Sequence, residues 1–60
     1  MMGALKNLKN GDEIKFKHKF HRENDFTIIS GKIKEIQTNG VFCIVETEFG
    51  EFYIGEWLIV

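Results

Sequence analysis

The sequence contains one cysteine and no proline, and no part of it approaches the run of ~20 apolar residues that a membrane-spanning helix needs. With Cys43 as the only thiol, an internal disulfide is excluded, and a single thiol is compatible with a reducing cytosol. The chain also lacks a charged start followed by a long apolar stretch, which a secretory leader would have. We therefore expect a soluble, cytoplasmic protein with no membrane partner.

Residues that carry catalysis or bind metals are scarce. A nucleophile needs a base within reach and a third group that orients the base, and a closed zinc site needs four ligands. Besides its carboxylates, the sequence offers only His18, His21, Cys43 and one serine, Ser30. A domain this small also rarely encloses a pocket of ~300 Å³ or more. We expect no enzyme, no cofactor and no metal; a Cys43–His18 pair in a cleft would be the exception.

Aromatic residues, in contrast, are abundant. Six phenylalanines, one tyrosine and one tryptophan occur in 60 residues, which argues against disorder. The length predicts a single domain over residues 1–60, and such a chain buries only about 60% of its unfolded surface. Association of two copies in a homodimer would offset this small core.

The middle of the chain predicts one long, bent strand over residues 26–36. Ile29, Gly31 and Ile33 share one face of such a strand, and the glycine leaves room for another segment to cross it. The step from Ile33 to Ile36 breaks the period of two. This break predicts a β-bulge near residues 34–35 that turns Ile36 back to the core.

Turn signals separate several further short strands. Asn39-Gly40 is the strongest hairpin signal, and Asn10-Gly11 marks another turn. The predicted elements are a short turn within residues 1–10, strands over 13–20, 41–48 and 52–54 with a turn at 49–51, and a helical turn followed by a last edge strand at the C-terminus. Four or five short strands with this spacing predict an all-β fold, either a small barrel or a sandwich.

The order of these features resembles that of small SH3-like barrels of the KOW and Tudor-like kind. The resemblance covers residues 8–60 and is carried by Gly11-Asp-Glu-Ile-Lys-Phe16, Ile29-Ser-Gly-Lys-Ile33, and Gly50-Glu-Phe-Tyr-Ile54 followed by Glu56-Trp-Leu58. Barrels with this layout occur among uncharacterised proteins of Gram-positive bacteria and their phages. The resemblance implies an SH3-like β-barrel of four or five strands that acts as a binding module for RNA, ribosomal proteins, polymerase subunits or peptides.

Charge is segregated along the chain. The part through Lys34 holds eight basic and four acidic residues, whereas the part from Glu35 onward holds five acidic and no basic residues. The basic residues predict a nucleic-acid-binding strand face as one alternative. Its members are Lys15, Lys17, Lys19, Arg22, Lys32 and Lys34. A solvated face that keeps the sheet soluble is the other interpretation, and the isoelectric point near 6.1 favours it.

The C-terminal half has more aromatic residues than one small core needs. Aromatic side chains are enriched at protein interfaces, and an acidic rim favours a basic partner. The function that we predict first is therefore a non-enzymatic protein-binding or regulatory module. Its predicted site consists of Phe42, Tyr53 and Trp57 with the carboxylates of Glu48 and Glu56, and Glu46 and Glu51 extend the rim.

Overall fold

The computed structural model describes residues 4–60, which form four β-strands and two short 3-10 turns. The elements in chain order are the first 3-10 turn Ala4–Asn7, β1 Glu13–His18, β2 Thr27–Ile36, β3 Phe42–Thr47, β4 Gly50–Gly55 and the second 3-10 turn Glu56–Leu58. The turn predicted within residues 1–10 is confirmed at Ala4–Asn7, while residues 1–3 lie outside the described part. The all-β class is confirmed.

The strands form one antiparallel sheet in the order β1-β2-β3-β4. Each strand therefore pairs with its neighbour in the chain. The sheet is not closed. At its β1 edge the C-terminal residues make one bridge, between Phe16 and Ile59, and the Val60 N–H donates to the Lys15 carbonyl at 2.9 Å. The predicted last edge strand is thus reduced to this short pairing.

β2 is the long, bent strand that the sequence predicts. Its first half pairs with β1 and its second half with β3, and the register with β3 shifts between Ile33 and Glu35. This shift confirms the predicted bulge. Gly31 lies where the strands approach closely, because an added Cβ there would be 2.5 Å from Val45 Cγ1 and 2.7 Å from the Glu46 carbonyl oxygen. The predicted crossing over Gly31 is therefore confirmed.

Side-chain hydrogen bonds fix the turn between β2 and β3. The Asn39 Oδ1 atom accepts from the Val41 N–H at 2.8 Å, and the Gly40 N–H donates to the Gln37 carbonyl at 2.9 Å. Gly40 has a φ of +73°, a conformation that glycine adopts readily. The hairpin predicted from Asn39-Gly40 is confirmed.

Several predicted strand ends are wrong. β1 stops at His18 rather than at residue 20, although Phe20 still packs against the core. Gly50 was predicted as part of a turn but opens β4. The reason is a tight turn at residues 48–49, in which the Thr47 hydroxyl accepts from the Phe49 N–H and donates to the Gly50 carbonyl, each at 2.9 Å. Gly50 is thereby placed opposite Thr47 in the ladder.

The core lies on one face of the sheet. It follows the alternation of each strand, and the first 3-10 turn contributes one residue. Its buried members are Leu5, Ile14, Phe16, Ile29, Ile33, Cys43, Val45 and Ile54. Phe52 and Leu58 are partly buried and pack against it.

Because Cys43 is buried, its reactivity tests whether the folded protein opens around it. Its side chain is fully buried, and this burial raises the pKa of the thiol. Because the thiolate is the reactive form, we expect iodoacetamide to alkylate native Cys43 at least about a hundredfold more slowly than the urea-unfolded chain at the same pH. Mass spectrometry of timed samples measures both rates. Equal rates would show that β3 opens freely.

Candidate functional site

A cluster of apolar side chains occupies the outer face of β3 and β4. Cys43 and Val45 point into the core, so alternation turns Phe42 and Ile44 to the opposite face. The register places Ile44 opposite Tyr53 and Phe42 opposite Gly55. We call the surface made by Phe42, Ile44, Tyr53 and Trp57 the aromatic face.

The rings of the aromatic face are packed against one another. Tyr53 stacks on Phe42 with a centroid distance of 5.2 Å and an interplanar angle of 4°, and Trp57 meets Phe42 edge-on at 5.4 Å. Phe42 is half-buried by these two contacts. Tyr53 and Trp57 nevertheless remain 63% and 62% exposed. The structure thus places the three aromatic residues of the predicted site side by side.

The second 3-10 turn holds Trp57 in place. The Glu56 N–H donates to the Val41 carbonyl at 2.8 Å, which ties the start of this turn to β3. The indole ring then lies over the backbone of Gly55, where a Cβ atom would overlap the ring carbons. Trp57 is therefore presented at a fixed position on the outer face.

The acidic rim differs from the predicted one. Glu56 directly precedes Trp57, but Glu48 lies in the β3–β4 turn, past the end of β3 that is remote from Phe42. The six residues of β4 lie between Glu48 and Glu56, a distance of roughly 20 Å. Glu35 takes the place of Glu48 in the rim, since the bulge sets Glu35 opposite Ile44. The sequence signal for Glu35 was the same break in period that predicted the bulge.

A short ion pair lies beside the aromatic face. The Lys34 Nζ atom is 2.6 Å from Glu51 Oε2, and both side chains are about half exposed. The hydrogen bond to Glu51 and then its charge raise the pKa of Lys34, with smaller contributions from Glu46 and Glu35. Lys34 thus neutralises part of the acidic rim.

Removing Glu51 should change the titration of Lys34. A lysine pKa that is raised by folding stabilises the protein below the unfolded pKa of about 10.4, and this contribution is lost as the pH rises through the folded pKa. We expect Glu51→Gln to lower the pKa of Lys34, with a small stability loss that disappears at high pH. An NMR titration of the Lys34 side chain measures this, and Glu48→Gln is the matched control. An unchanged Lys34 pKa in Glu51→Gln would contradict the pairing.

The six basic residues of the alternative site do not form one continuous patch. Lys15 and Lys17 lie on the outer face of β1, but Lys32 stands between Glu13 on β1 and Glu46 on β3. A hollow of about 740 Å³ beside these strands has a lining of mixed charge, with two lysines and three glutamates. Mixed charge of this kind disfavours a polyanion.

The remaining basic residues belong to the β1–β2 connection. Lys19 and Arg22 are exposed there, and Arg22 has a φ of +76°. The Lys17 Nζ atom lies 5.4 Å from the centre of the Phe26 ring, a cation–π contact. Nucleic-acid binding through these residues stays a prediction.

The candidate metal ligands are not gathered. Within residues 4–60, no cluster of three or more histidine, cysteine, aspartate or glutamate side chains has an arrangement that would hold a metal ion. The His18 ring instead packs against Phe20 and Phe52, with centroid distances of 4.6 and 4.7 Å. These contacts fit a histidine at the margin of the core.

Comparisons of this chain with protein-family models, with curated proteins and with solved structures found no match. In the described part of the chain, no helix has the length and apolar character needed to cross a bilayer. The SH3-like resemblance and the functions that it implies therefore stay predictions.

Proposed function

We propose that the protein is a non-enzymatic, cytoplasmic binding module that uses the aromatic face to bind a basic segment of a protein partner. The observation that carries this proposal is the exposure of Tyr53 and Trp57 on a rigid, stacked support. Tyrosine and tryptophan are the residues most enriched among those that dominate binding energy.

The packing of the face favours binding because little ordering is required. Tyr53 and Trp57 both rest on Phe42, and Trp57 also covers Gly55. A side chain that is already fixed loses less conformational entropy when a partner covers it. The face is therefore suited to hold a flat or apolar group of a ligand against its two exposed rings.

The surrounding carboxylates favour a partner that carries positive charge. Glu35 and Glu56 border the face, and Glu51 lies on the same side of β4 as Tyr53. A cation near tyrosine and tryptophan rings gains from the ring faces as well as from the carboxylates. An arginine or lysine flanked by apolar residues is the motif that fits this surface.

We also propose an SH3-like barrel as the fold. The support is the four-stranded meander, the bend of β2 at its bulge and the 3-10 turn after β4. The pairing of Ile59 and Val60 with β1 is further support, because it brings the C-terminal segment to an edge of the sheet that a barrel would close. The same architecture leaves the aromatic face outside the core.

Selection from a random peptide library tests the function. Phage-displayed peptides of about twelve residues would be selected on the native protein, and the selected peptides would then be titrated against a variant carrying Tyr53→Ala and Trp57→Ala. We expect enrichment of basic and apolar residues, and at least about a tenfold loss of affinity in the variant, because each truncation removes a central contact.

The matched control replaces the exposed Phe26, which lies away from the aromatic face, with alanine. This variant should retain the affinity of the native protein. Two results would oppose the proposal. In one, selected peptides bind the double variant as well as the native protein. In the other, concentration-dependent sizing shows self-association of the native protein that the double variant lacks, so that a second copy of the chain already covers Tyr53 and Trp57.

A further inference from the structure

The first half of β2 has an unpaired edge. β3 pairs with β2 only from Lys32 onward, so residues 27–31 have β1 as their sole strand partner. The Ile33 N–H donates to the Asp12 carbonyl, on the β1 side. Because these groups alternate along a strand, the N–H and C=O groups of Ile28 and Ser30 point away from β1. Within residues 4–60, no backbone group hydrogen-bonds to them on that side.

A groove of about 470 Å³ runs beside this edge. Thr27, Ile28, Ile29 and Ser30 line one side, and Glu48 and Phe49 of the β3–β4 turn line the other. The side chains of Ile28 and Phe49 are 53% and 57% exposed. Both sides of the groove therefore present apolar surface next to unsatisfied backbone groups.

The far side of the groove is firmly held. The Phe49 ring meets the Phe20 ring at 5.4 Å, and the Thr47 hydroxyl closes the turn that carries Phe49. Glu48 is the only ionisable residue in the lining, and no described residue forms an ion pair with it. A ligand that carries a basic side chain would thus complement the charge of Glu48 in this groove.

We propose that this groove accepts an extended peptide segment, which adds to the free edge of β2 as a further strand. The segment would hydrogen-bond to Ile28 and Ser30, place apolar side chains against Ile28 and Phe49, and bring a lysine or arginine to Glu48. A groove with two walls fits one extended segment better than the edge of a second folded copy. This site is separate from the aromatic face and gives Glu48 its role.

Hydrogen exchange with a synthetic peptide tests strand addition. The probe is an eight-residue peptide in which valine alternates with threonine around one central arginine. In the free protein the amides of Ile28 and Ser30 should exchange rapidly, while that of Ile29, which faces β1, should be protected. With the peptide bound, we expect exchange at Ile28 and Ser30 to slow at least about tenfold, because both amides gain hydrogen bonds.

Two N-methylated peptides provide the control for backbone pairing. Each carries methyl groups on one alternate set of amides, and only one set can face β2. We expect one version to retain the affinity and the other to lose at least about tenfold. Equal affinities of the two versions would overturn strand addition.

Protein variants separate this site from the aromatic face. Ile28→Lys should weaken binding at least about tenfold, because a lysine on a strand edge blocks pairing. Glu48→Gln should weaken it about threefold, the scale of an exposed ion pair. Trp57→Ala should leave it unchanged.

Three results would overturn the proposal. The first is peptide protection confined to the aromatic face, and the second is no binding at millimolar peptide. The third is protection of Ile28 and Ser30 in the absence of peptide that grows with protein concentration, which would assign the edge to a second copy of the chain.

Discussion

Replacing Gly31 with valine should strongly destabilise the protein. Strand propensity alone favours valine over glycine and would predict a gain in stability. In the structure, a Cβ atom at this position would lie 2.5 Å from Val45 Cγ1, 2.7 Å from the Glu46 carbonyl oxygen and 2.8 Å from Thr47 Cγ2. One of the three is backbone, so β3 would have to move.

The expected loss for Gly31→Val is about 3 kcal/mol or more, the upper range for overpacking a core. A domain of this size has roughly 3–9 kcal/mol of stability in total. Urea unfolding followed by circular dichroism measures the loss. Gly40→Ala is the matched control, since space around Gly40 is open and only its φ of +73° opposes a side chain; we expect it to cost about 1 kcal/mol. A Gly31→Val protein as stable as the native one would refute the close approach of β2 and β3.

Replacing Phe16 with alanine should be comparably damaging. Phe16 is fully buried, its ring packs against Phe52 at 5.4 Å, and its backbone forms the bridge to Ile59. Truncation of a buried phenylalanine costs about 3–5 kcal/mol, because the apolar contact is lost and a cavity remains.

The control for Phe16→Ala is Phe26→Ala, which removes the same atoms from a residue that is 57% exposed. We expect Phe26→Ala to change the free energy of unfolding by about 0.5 kcal/mol or less. Thermal unfolding of both variants gives the comparison. Similar losses at the two positions would mean that the core is not centred on Phe16.

The sequence predicted the features of the fold that depend on local pattern. The alternation of β1, the bulge of β2 and the Asn39-Gly40 hairpin each follow from residue spacing within a few positions. The structure ends β1 at His18 and begins β4 at Gly50, and the predicted ends of these two strands were wrong for different reasons. Gly50 joins β4 because the hydroxyl of Thr47 closes a tighter turn than the residue types at positions 49–51 indicate. In contrast, the alternating pattern of the first strand continues past the point where its pairing with β2 stops, after His18.

The candidate site could be predicted only in part. Phe42, Tyr53 and Trp57, whose excess over core needs is visible in the sequence, do lie side by side. The placement of Glu48 and Glu35 depends on register, and a register cannot be read from charge order alone. The same limit applies to the lysines: Lys32 faces Glu13 and Glu46 only because of how β1, β2 and β3 align.

The central claim is that the aromatic face binds a basic segment, and Trp57 reports on it directly because it is the only tryptophan. The measurement is the fluorescence of Trp57 during titration with two peptides that differ only in carrying arginine or glutamate beside a leucine. We expect a saturable change with the arginine peptide, weakened by salt, and none with the glutamate peptide. Equal responses to the two peptides, or no response to the arginine peptide at millimolar concentration, would contradict the claim.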